Sequence, residues 1–161
     1  MTLEQWSAVA QIVSAIAVVA SLIFVGRQVK HAAGAIRAGS SLAHSGYYTD
    51  LVRSLIDNAD FARVWFIGLT DPDELAEEEW VRFLAYASAQ LRLYESSLVQ
   101  WQNGWLGDEH WYTIERHAAD FGTLPGLKRA WKVRGHWFSP EFHAWFEGLS
   151  RSKPAEPYAR S

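Results

Sequence analysis

The feature that most constrains this chain is an uncharged run near its N-terminus, "WSAVAQIVSAIAVVASLIFVG", from Trp6 to Gly26. A helix of this length extends about 30 Å, which matches the hydrocarbon thickness of a bilayer. A cleaved signal peptide is disfavoured because the preceding segment carries Glu4 and no Lys or Arg, and because the run is longer than a usual signal-peptide core. We therefore predict a membrane span over residues 1–26, with a buried core helix as the alternative.

The charges that follow the run indicate an orientation. No acidic residue occurs between Glu4 and Asp50, and the basic residues of that interval begin directly after the run. Those that come soonest after the run are Arg27, Lys30, His31 and Arg37. Because cytoplasmic flanks are enriched in positive charge, we expect the N-terminus outside and the rest of the chain in the cytosol. Arg27 and Lys30 would then lie close to lipid headgroups.

The polar residues within the apolar run are regularly spaced. Together with two valines they recur at alternating intervals of four and three residues, which is the spacing of one heptad face. The members of this polar seam are Ser7, Gln11, Ser14, Val18, Ser21, Val25 and Gln28. In hydrocarbon a Gln side chain costs free energy unless it has a partner, and a second helix supplies one. The seam therefore predicts self-association or a pore, the alternative being chance spacing with serines bonded to their own helix.

The remainder of the chain has helical patterning. Apolar residues recur at helical intervals without proline from Arg27 to Asn58, which predicts a long juxtamembrane helix over 27–58. A cytosolic helical bundle is expected over 59–150, and a disordered tail over 151–161. No segment alternates apolar and polar residues as a strand does. The predicted fold class is all-α, with one N-terminal transmembrane helix continuing into a long helix and then the bundle.

Turn and capping residues delimit the first helices of the bundle. A short helix is expected to start at Asn58 or Asp60 and to end at the turn Asp71-Pro72. The longest helix follows, with an acid-rich first turn that favours the helix dipole, and it stops at Asn103-Gly104.

Three further signals lie in the C-terminal third. Asp108 is expected to cap a helix through "EHWYTIERHAADF". The break at residues 124–126 precedes a helical segment "LKRAWKVRGHWF", and Ser139-Pro140 starts the last helix.

Composition excludes some chemistry. Cysteine is absent, so a disulfide framework, a Cys-ligated zinc site and a thiol nucleophile are excluded. A net charge of −3 gives no general argument for nucleic-acid binding. Nine tryptophans are spread along the chain, and we interpret them as core or membrane-interface residues of amphipathic helices. No cofactor is expected.

Two side-chain pairs are candidates for metal binding or catalysis. His110 and His117 lie seven residues apart, whereas metal-binding histidines on a helix usually lie three or four apart, so no metal site is expected. Arg92 and Glu95, three apart, could form a catalytic pair or an ion pair within one helix, and the ion pair is favoured.

A basic segment, "LKRAWKVRGH", interleaves cations with tryptophan. Its cations are Lys128, Arg129, Lys132 and Arg134. Such a segment could hold RNA or an anionic lipid headgroup, or could simply be a solvated helix face. Arg129 and His136 fit a spacing that resembles the active-site motif of HEPN ribonucleases, although Ala130 occupies a position that is usually polar there. That resemblance implies an Arg that steadies the phosphate and a His in acid-base transfer.

The chain as a whole resembles a group of short, uncharacterised bacterial membrane proteins. The resemblance lies in "SAIAVVASLIFVGRQVKHAAGAIRAG", in the segment from "DFARVWFIGL" to "WLGDEHW", and in "WFSPEFHAWF". It implies an N-terminal span with a cytosolic helical domain in a bacterial inner membrane, and no activity. In layout the chain is also similar to the pore-forming membrane accessory proteins of Cas13-type CRISPR systems, which favours assembly.

From these observations we expect a non-enzymatic single-pass membrane protein that self-assembles through its span and helical domain, with a pore as one form of the assembly. One alternative is a membrane-tethered HEPN-like domain that binds or cleaves RNA. Another is a scaffold or sensor that recruits a partner protein through its Trp-rich surface.

Overall fold

A computed structural model describes residues 3–149, which are all-α as predicted. The helices are α1 (Leu3–Ile56), α2 (Ala59–Thr70), α3 (Glu77–Gln102), α4 (Asp108–Phe121), α5 (Pro125–Arg134) and α6 (Pro140–Gly148). Short 3₁₀ turns, Pro72–Glu74 and Gly135–Trp137, lie in two of the connections. The tail predicted over 151–161 lies outside the described residues.

The first of two compact units comprises residues 1–38. Its described part is the N-terminal portion of α1, and every side chain from residue 10 to residue 38 is exposed. By length and composition α1 is apolar enough to cross a membrane, which supports the predicted span at that level.

The second compact unit begins at Gly39 and holds the last part of α1 together with α2 to α6. Two hydrogen bonds attach this part of α1 to α3. The Tyr86 hydroxyl donates to the Leu51 carbonyl at 2.6 Å, and Ser97 Oγ lies 2.9 Å from His44 Nδ1. The segment predicted as a juxtamembrane helix over 27–58 is therefore helical to Ile56 and divides between the two units.

Close contact between α2 and α5 sets the geometry of the bundle. A Cβ atom on Gly126 would lie 1.8 Å from the Gly68 carbonyl oxygen, and one on Gly68 would lie 2.3 Å from Cδ2 of Phe83. The fully buried Phe83 ring of α3 therefore packs directly against both glycines. Glycine at 126 allows the two helix backbones to approach this closely, and glycine at 68 leaves room for the Phe83 ring.

Aromatic side chains fill much of the core. Trp101 and Trp111 stack with ring centroids 4.9 Å apart and planes 8° from parallel, and Trp145 packs on Trp111 at 5.1 Å. Trp65 is buried, and Trp131 packs on the rings of α6. In the described part of the chain most tryptophans are thus core residues, whereas Trp6, Trp105 and Trp137 are exposed.

Several predicted helix boundaries are confirmed. Asn58 caps α2 by accepting from the Phe61 N–H at 2.9 Å, and Ser139 caps α6 by accepting from the Phe142 N–H at 3.2 Å. α3 ends at Gln102, and Gly104 follows with a φ of 70°, a left-handed conformation that glycine adopts without strain.

Other predicted boundaries are wrong. Gly107 is the N-cap of α4, while Asp108 is its first helical residue and accepts from Trp101 Nε1 at 2.9 Å. Pro125 does not precede the next helix but occupies its first position, where a missing N–H costs nothing. The helix predicted through "LKRAWKVRGHWF" ends at Arg134 and is followed by a 3₁₀ turn.

The contact between α2 and α5 generates a test. Gly126→Ala should lower the free energy of unfolding by about 3 kcal/mol, because the added methyl group overlaps the Gly68 carbonyl and forces the helices apart. Gly148→Ala is the matched control, since a Cβ there meets nothing within 4 Å. Denaturant unfolding of both purified variants checks this, and equal stability of the two would contradict the packing described.

Candidate functional site

The polar seam lies wholly on α1, and each of its side chains is exposed. With 3.6 residues per turn, its members fall within an arc of roughly 100° around the helix axis. The large apolar residues Ile12, Ile16, Val19 and Ile23 fall within roughly 60° on the nearly opposite side, and each is more than half exposed. The helix therefore has one face carrying hydroxyl and amide groups and another that suits lipid.

The last part of α1 shows how serine and threonine can bond to their own helix. Ser45 Oγ donates to the Ser41 carbonyl at 3.0 Å, and Thr49 Oγ1 donates to the Ser45 carbonyl at 2.8 Å. Serines in the seam can satisfy themselves in this way. Gln11 has a longer side chain with two donors and an acceptor, so hydrocarbon penalises it more severely unless another molecule pairs with it.

Arg92 and Glu95 form the predicted ion pair within α3, at 2.6 Å. The pair also links α3 to the start of α6, because Glu95 Oε1 accepts from the Ser139 N–H at 2.8 Å. Arg92 lies over the Phe138 ring, 4.4 Å from its centroid. Burial would raise the pKa of Glu95, but the hydrogen bonds from Ser139 and Arg92 outweigh burial and hold the pKa of this carboxyl below its usual value.

Two of the four cations in the basic segment are engaged within the fold. Arg129 pairs with Asp73 and lies over the Trp80 ring, 4.7 Å from its centroid. Arg134 lies over the Trp137 ring at 3.8 Å. Lys128 and Lys132 are exposed on α5 and are spaced to share a face. The segment therefore contributes cation–π contacts to the bundle as well as an exposed pair of lysines.

The two residues that resemble a HEPN motif occupy different settings. Arg129 is held by Asp73 and Trp80, whereas His136 is exposed in the 3₁₀ turn with its ring against Trp137. Among the described residues no hydrogen bond or ring contact joins Arg129 to His136. The contacts give Arg129 a packing role and leave any catalytic pairing as a sequence-based hypothesis.

His110 and His117 both border an open cavity of about 570 Å³ in the second unit. The cavity also brings in His44 from α1 and Gln90 from α3, which sequence reasoning did not single out. No group of three or more His, Cys, Asp or Glu side chains arranged to hold a metal ion occurs in the described residues. Gln90 is a polar residue among the buried residues of α3. A polar residue at such a position is the sequence signal that could have indicated the cavity.

Comparison with known proteins gives no relative: no protein-family model, curated protein or solved structure matches this chain.

The Glu95 contacts generate a pH test. Glu95→Gln should lower the free energy of unfolding by about 1–2 kcal/mol at neutral pH, because the charged acceptor for Ser139 and Arg92 is lost. Since the folded-state pKa is depressed, the carboxylate contributes fully above its unfolded-state pKa, and the contribution disappears as the pH falls through the folded-state pKa. The difference from wild type should therefore shrink on acidification.

Thermal denaturation from neutral pH to about pH 3 measures that difference. Glu78→Gln makes the same chemical change at an exposed position in the first turn of α3 and serves as the control. A Glu95→Gln effect that stays constant over this pH range would refute the assignment.

Proposed function

We propose that this chain is a non-enzymatic, single-pass membrane protein whose copies associate through the polar seam of α1 to form a homo-oligomer. The single observation that carries the proposal is the placement of the strongly polar side chains of the apolar run on one exposed face of an uninterrupted helix. If the copies form a ring, the polar seam of each copy faces a central pore.

The polar seam is more stable against a second helix than in hydrocarbon. A single membrane anchor needs only an apolar surface. In hydrocarbon an aliphatic residue in place of Gln11 would have a lower free energy. A helix pair instead allows Gln11 and the seam serines to hydrogen-bond across the contact, while Ala10 and Ala17 beside the seam allow the backbones to approach. Each such hydrogen bond contributes about 0.5–2 kcal/mol in a membrane, so several along one face are sufficient to favour a specific oligomer.

A bacterial inner membrane with the N-terminus outside is part of the same proposal. The cationic flank that begins at Arg27 and Lys30 supports this orientation through the positive-inside rule. Trp6, 60 % exposed at the other end of the apolar run, is a residue type enriched where helices meet the membrane interface. The bundle would then act on the cytosolic side.

Arg129 and His136 support no second proposal, because the contacts of Arg129 with Asp73 and Trp80 account for it within the fold. Changing Arg129 is expected to disturb packing between α5 and α3.

The self-association proposal makes a direct prediction. Gln11→Leu combined with Ser14→Leu should leave membrane insertion intact and shift the protein toward monomer, by about tenfold or more in the association constant, since two polar contacts are lost. Ile12→Leu combined with Ile16→Leu is the matched control on the lipid-facing side and should assemble as wild type. Native mass spectrometry and crosslinking from detergent measure the distribution. A wild-type protein found only as monomer would refute association.

The pore has its own test. Liposomes containing assembled wild-type protein should release ions or a small dye, and the Gln11→Leu, Ser14→Leu protein should release less because its lining has become apolar. Assembled protein that releases neither would eliminate the pore while leaving the oligomer standing.

A further inference from the structure

Two histidines lie where the last part of α1 meets α3 and α4. His44, on α1 itself, has its Nδ1 2.9 Å from Ser97 Oγ of α3. His117, on α4, has its ring edge-on to Tyr48 of α1, with ring centroids 5.9 Å apart. Both histidines are partly buried and line the open cavity of about 570 Å³. These contacts of α1 therefore depend on side chains that can change charge near neutral pH.

The surroundings of His44 disfavour a proton on its ring. Burial lowers the pKa of His44, and His110 of α4 lowers it further because two positive rings repel each other. Glu109 is the one carboxyl-bearing residue in the described cavity lining, and this exposed carboxyl does not reverse the shift. The α3 partner, Ser97, carries no charge. The contact between α1 and α3 therefore favours the neutral form of His44.

His117 is in a comparable setting. Its Nδ1 lies 2.6 Å from the Tyr94 hydroxyl of α3, and its ring packs on Phe121 with centroids 4.3 Å apart. Burial lowers the pKa of His117, although the Asp120 carboxylate of the same helix opposes this effect. Burial raises the pKa of Tyr94, so its hydroxyl stays uncharged and supplies no countercharge to a protonated His117. The described α1 residues that line the cavity include no carboxylate either.

The contacts further along α1 contain no histidine. Tyr86 donates a hydrogen bond to the Leu51 carbonyl at 2.6 Å, and Leu55 packs against the hydrophobic core. A proton taken up by His44 or His117 adds no charge to either contact. Acidification therefore acts on residues 39–48 and leaves the following turns of α1 attached to the bundle.

The direction of the pH effect follows from proton linkage. When residues 39–48 leave the cavity wall, water reaches His44 and His117, and their pKa values return to about 6.5. In the attached state both pKa values are lower, so the released state binds more protons. Release is therefore favoured increasingly as the pH falls below about 6.5, until the pH has passed the pKa values of the attached state.

We propose that residues 39–48 of α1 are a pH-sensitive switch, released from α3 and α4 when His44 and His117 take up protons, while Leu51 and Leu55 remain attached. Release opens the cavity to solvent on its α1 side. The switch goes beyond self-association and does not depend on it, because all of these residues belong to the second unit.

Distances between spin labels test the switch in the full chain in lipid nanodiscs. The absence of cysteine permits labels at Leu42→Cys on α1 and Tyr112→Cys on α4, two exposed positions outside the cavity lining. Dilution with unlabelled protein removes distances between copies. As the pH is lowered from about 8 to about 5, the ratio of released to attached molecules should rise by up to about tenfold per pH unit for each histidine.

A second label pair reports whether the change is local. Ile56→Cys on α1 and Val81→Cys on α3 are also exposed positions, and Ile56 follows the turns that Leu51 and Leu55 hold. The distance between these labels should stay constant over the same pH range.

His44→Asn combined with His117→Asn identifies the groups that take up the protons. Asparagine cannot be protonated at these pH values, and its side-chain amide can still hydrogen-bond to Ser97 or Tyr94. The pH dependence of the first label pair should disappear, and His44→Asn alone should reduce it. His136→Asn is the matched control, because His136 is exposed and lies outside the cavity lining, and it should respond to pH as wild type does.

Histidine ¹⁵N NMR of the wild type provides a measurement that needs no variant. His44 and His117 should take up protons over the same pH interval in which the first label pair separates. Protonation of both rings without any separation of the labels would overturn the proposal. So would a separation that persists in full in the double variant, or a separation of both label pairs together, which would indicate that the bundle itself unfolds.

Discussion

The backbone hydrogen bonds of α1 form one uninterrupted ladder from Leu3 to Ile56, and the polar seam depends on it because only a regular helix places those residues on one face. The ladder contains no proline, but Gly26, Gly34, Gly39 and Gly46 lie along it, and each costs about 1 kcal/mol relative to Ala in a helix. In hydrocarbon the cost of breaking a backbone hydrogen bond is several kcal/mol, so in the proposed membrane span the bilayer would maintain the first part of the helix. That support would not extend to the last part of α1.

The last part of α1 is held in a different way. Tyr86 donates to the Leu51 carbonyl, Ser97 meets His44, and Tyr48 contacts His117. Leu55 also packs against the hydrophobic core. The last part of α1 is therefore attached to the bundle by polar, aromatic and apolar contacts, and an open cavity remains beside His44 and Tyr48.

Local signals in the sequence predicted much of the fold. Asn58 and Ser139 could be identified as caps because an N-cap depends on one side chain and the adjacent N–H groups. The prediction of Asp108 as the cap of α4 is wrong because aspartate is favourable both at the cap and in the first turn. In the structure Asp108 accepts a hydrogen bond from the Trp101 indole instead of capping the helix. The sequence predicts a break at Pro125 although the residue starts α5, because proline both ends helices and starts them.

The cavity could not be predicted because it depends on tertiary placement. Gln90 and His44 are far apart in sequence, and only the packing of α1 on α3 brings them to the same wall. The pairing of Arg129 with Asp73 also joins residues far apart in the chain. The sequence alone therefore does not distinguish a basic helix face exposed to solvent from one whose arginine is held by an acidic partner. The seam is different: its regularity is visible in the sequence because one helix carries it.

The most direct test of the central claim uses the absence of cysteine from this chain, which permits a clean cysteine scan. Single cysteines placed in turn at residues 10–25, in membranes and under mild oxidation, should give disulfide-linked dimers whose yield peaks at Gln11, Ser14, Val18, Ser21 and Val25. That alternation of four and three residues would show that copies meet along the polar seam. A flat profile, or one that peaks at Ile12, Ile16, Val19 and Ile23, would contradict the account.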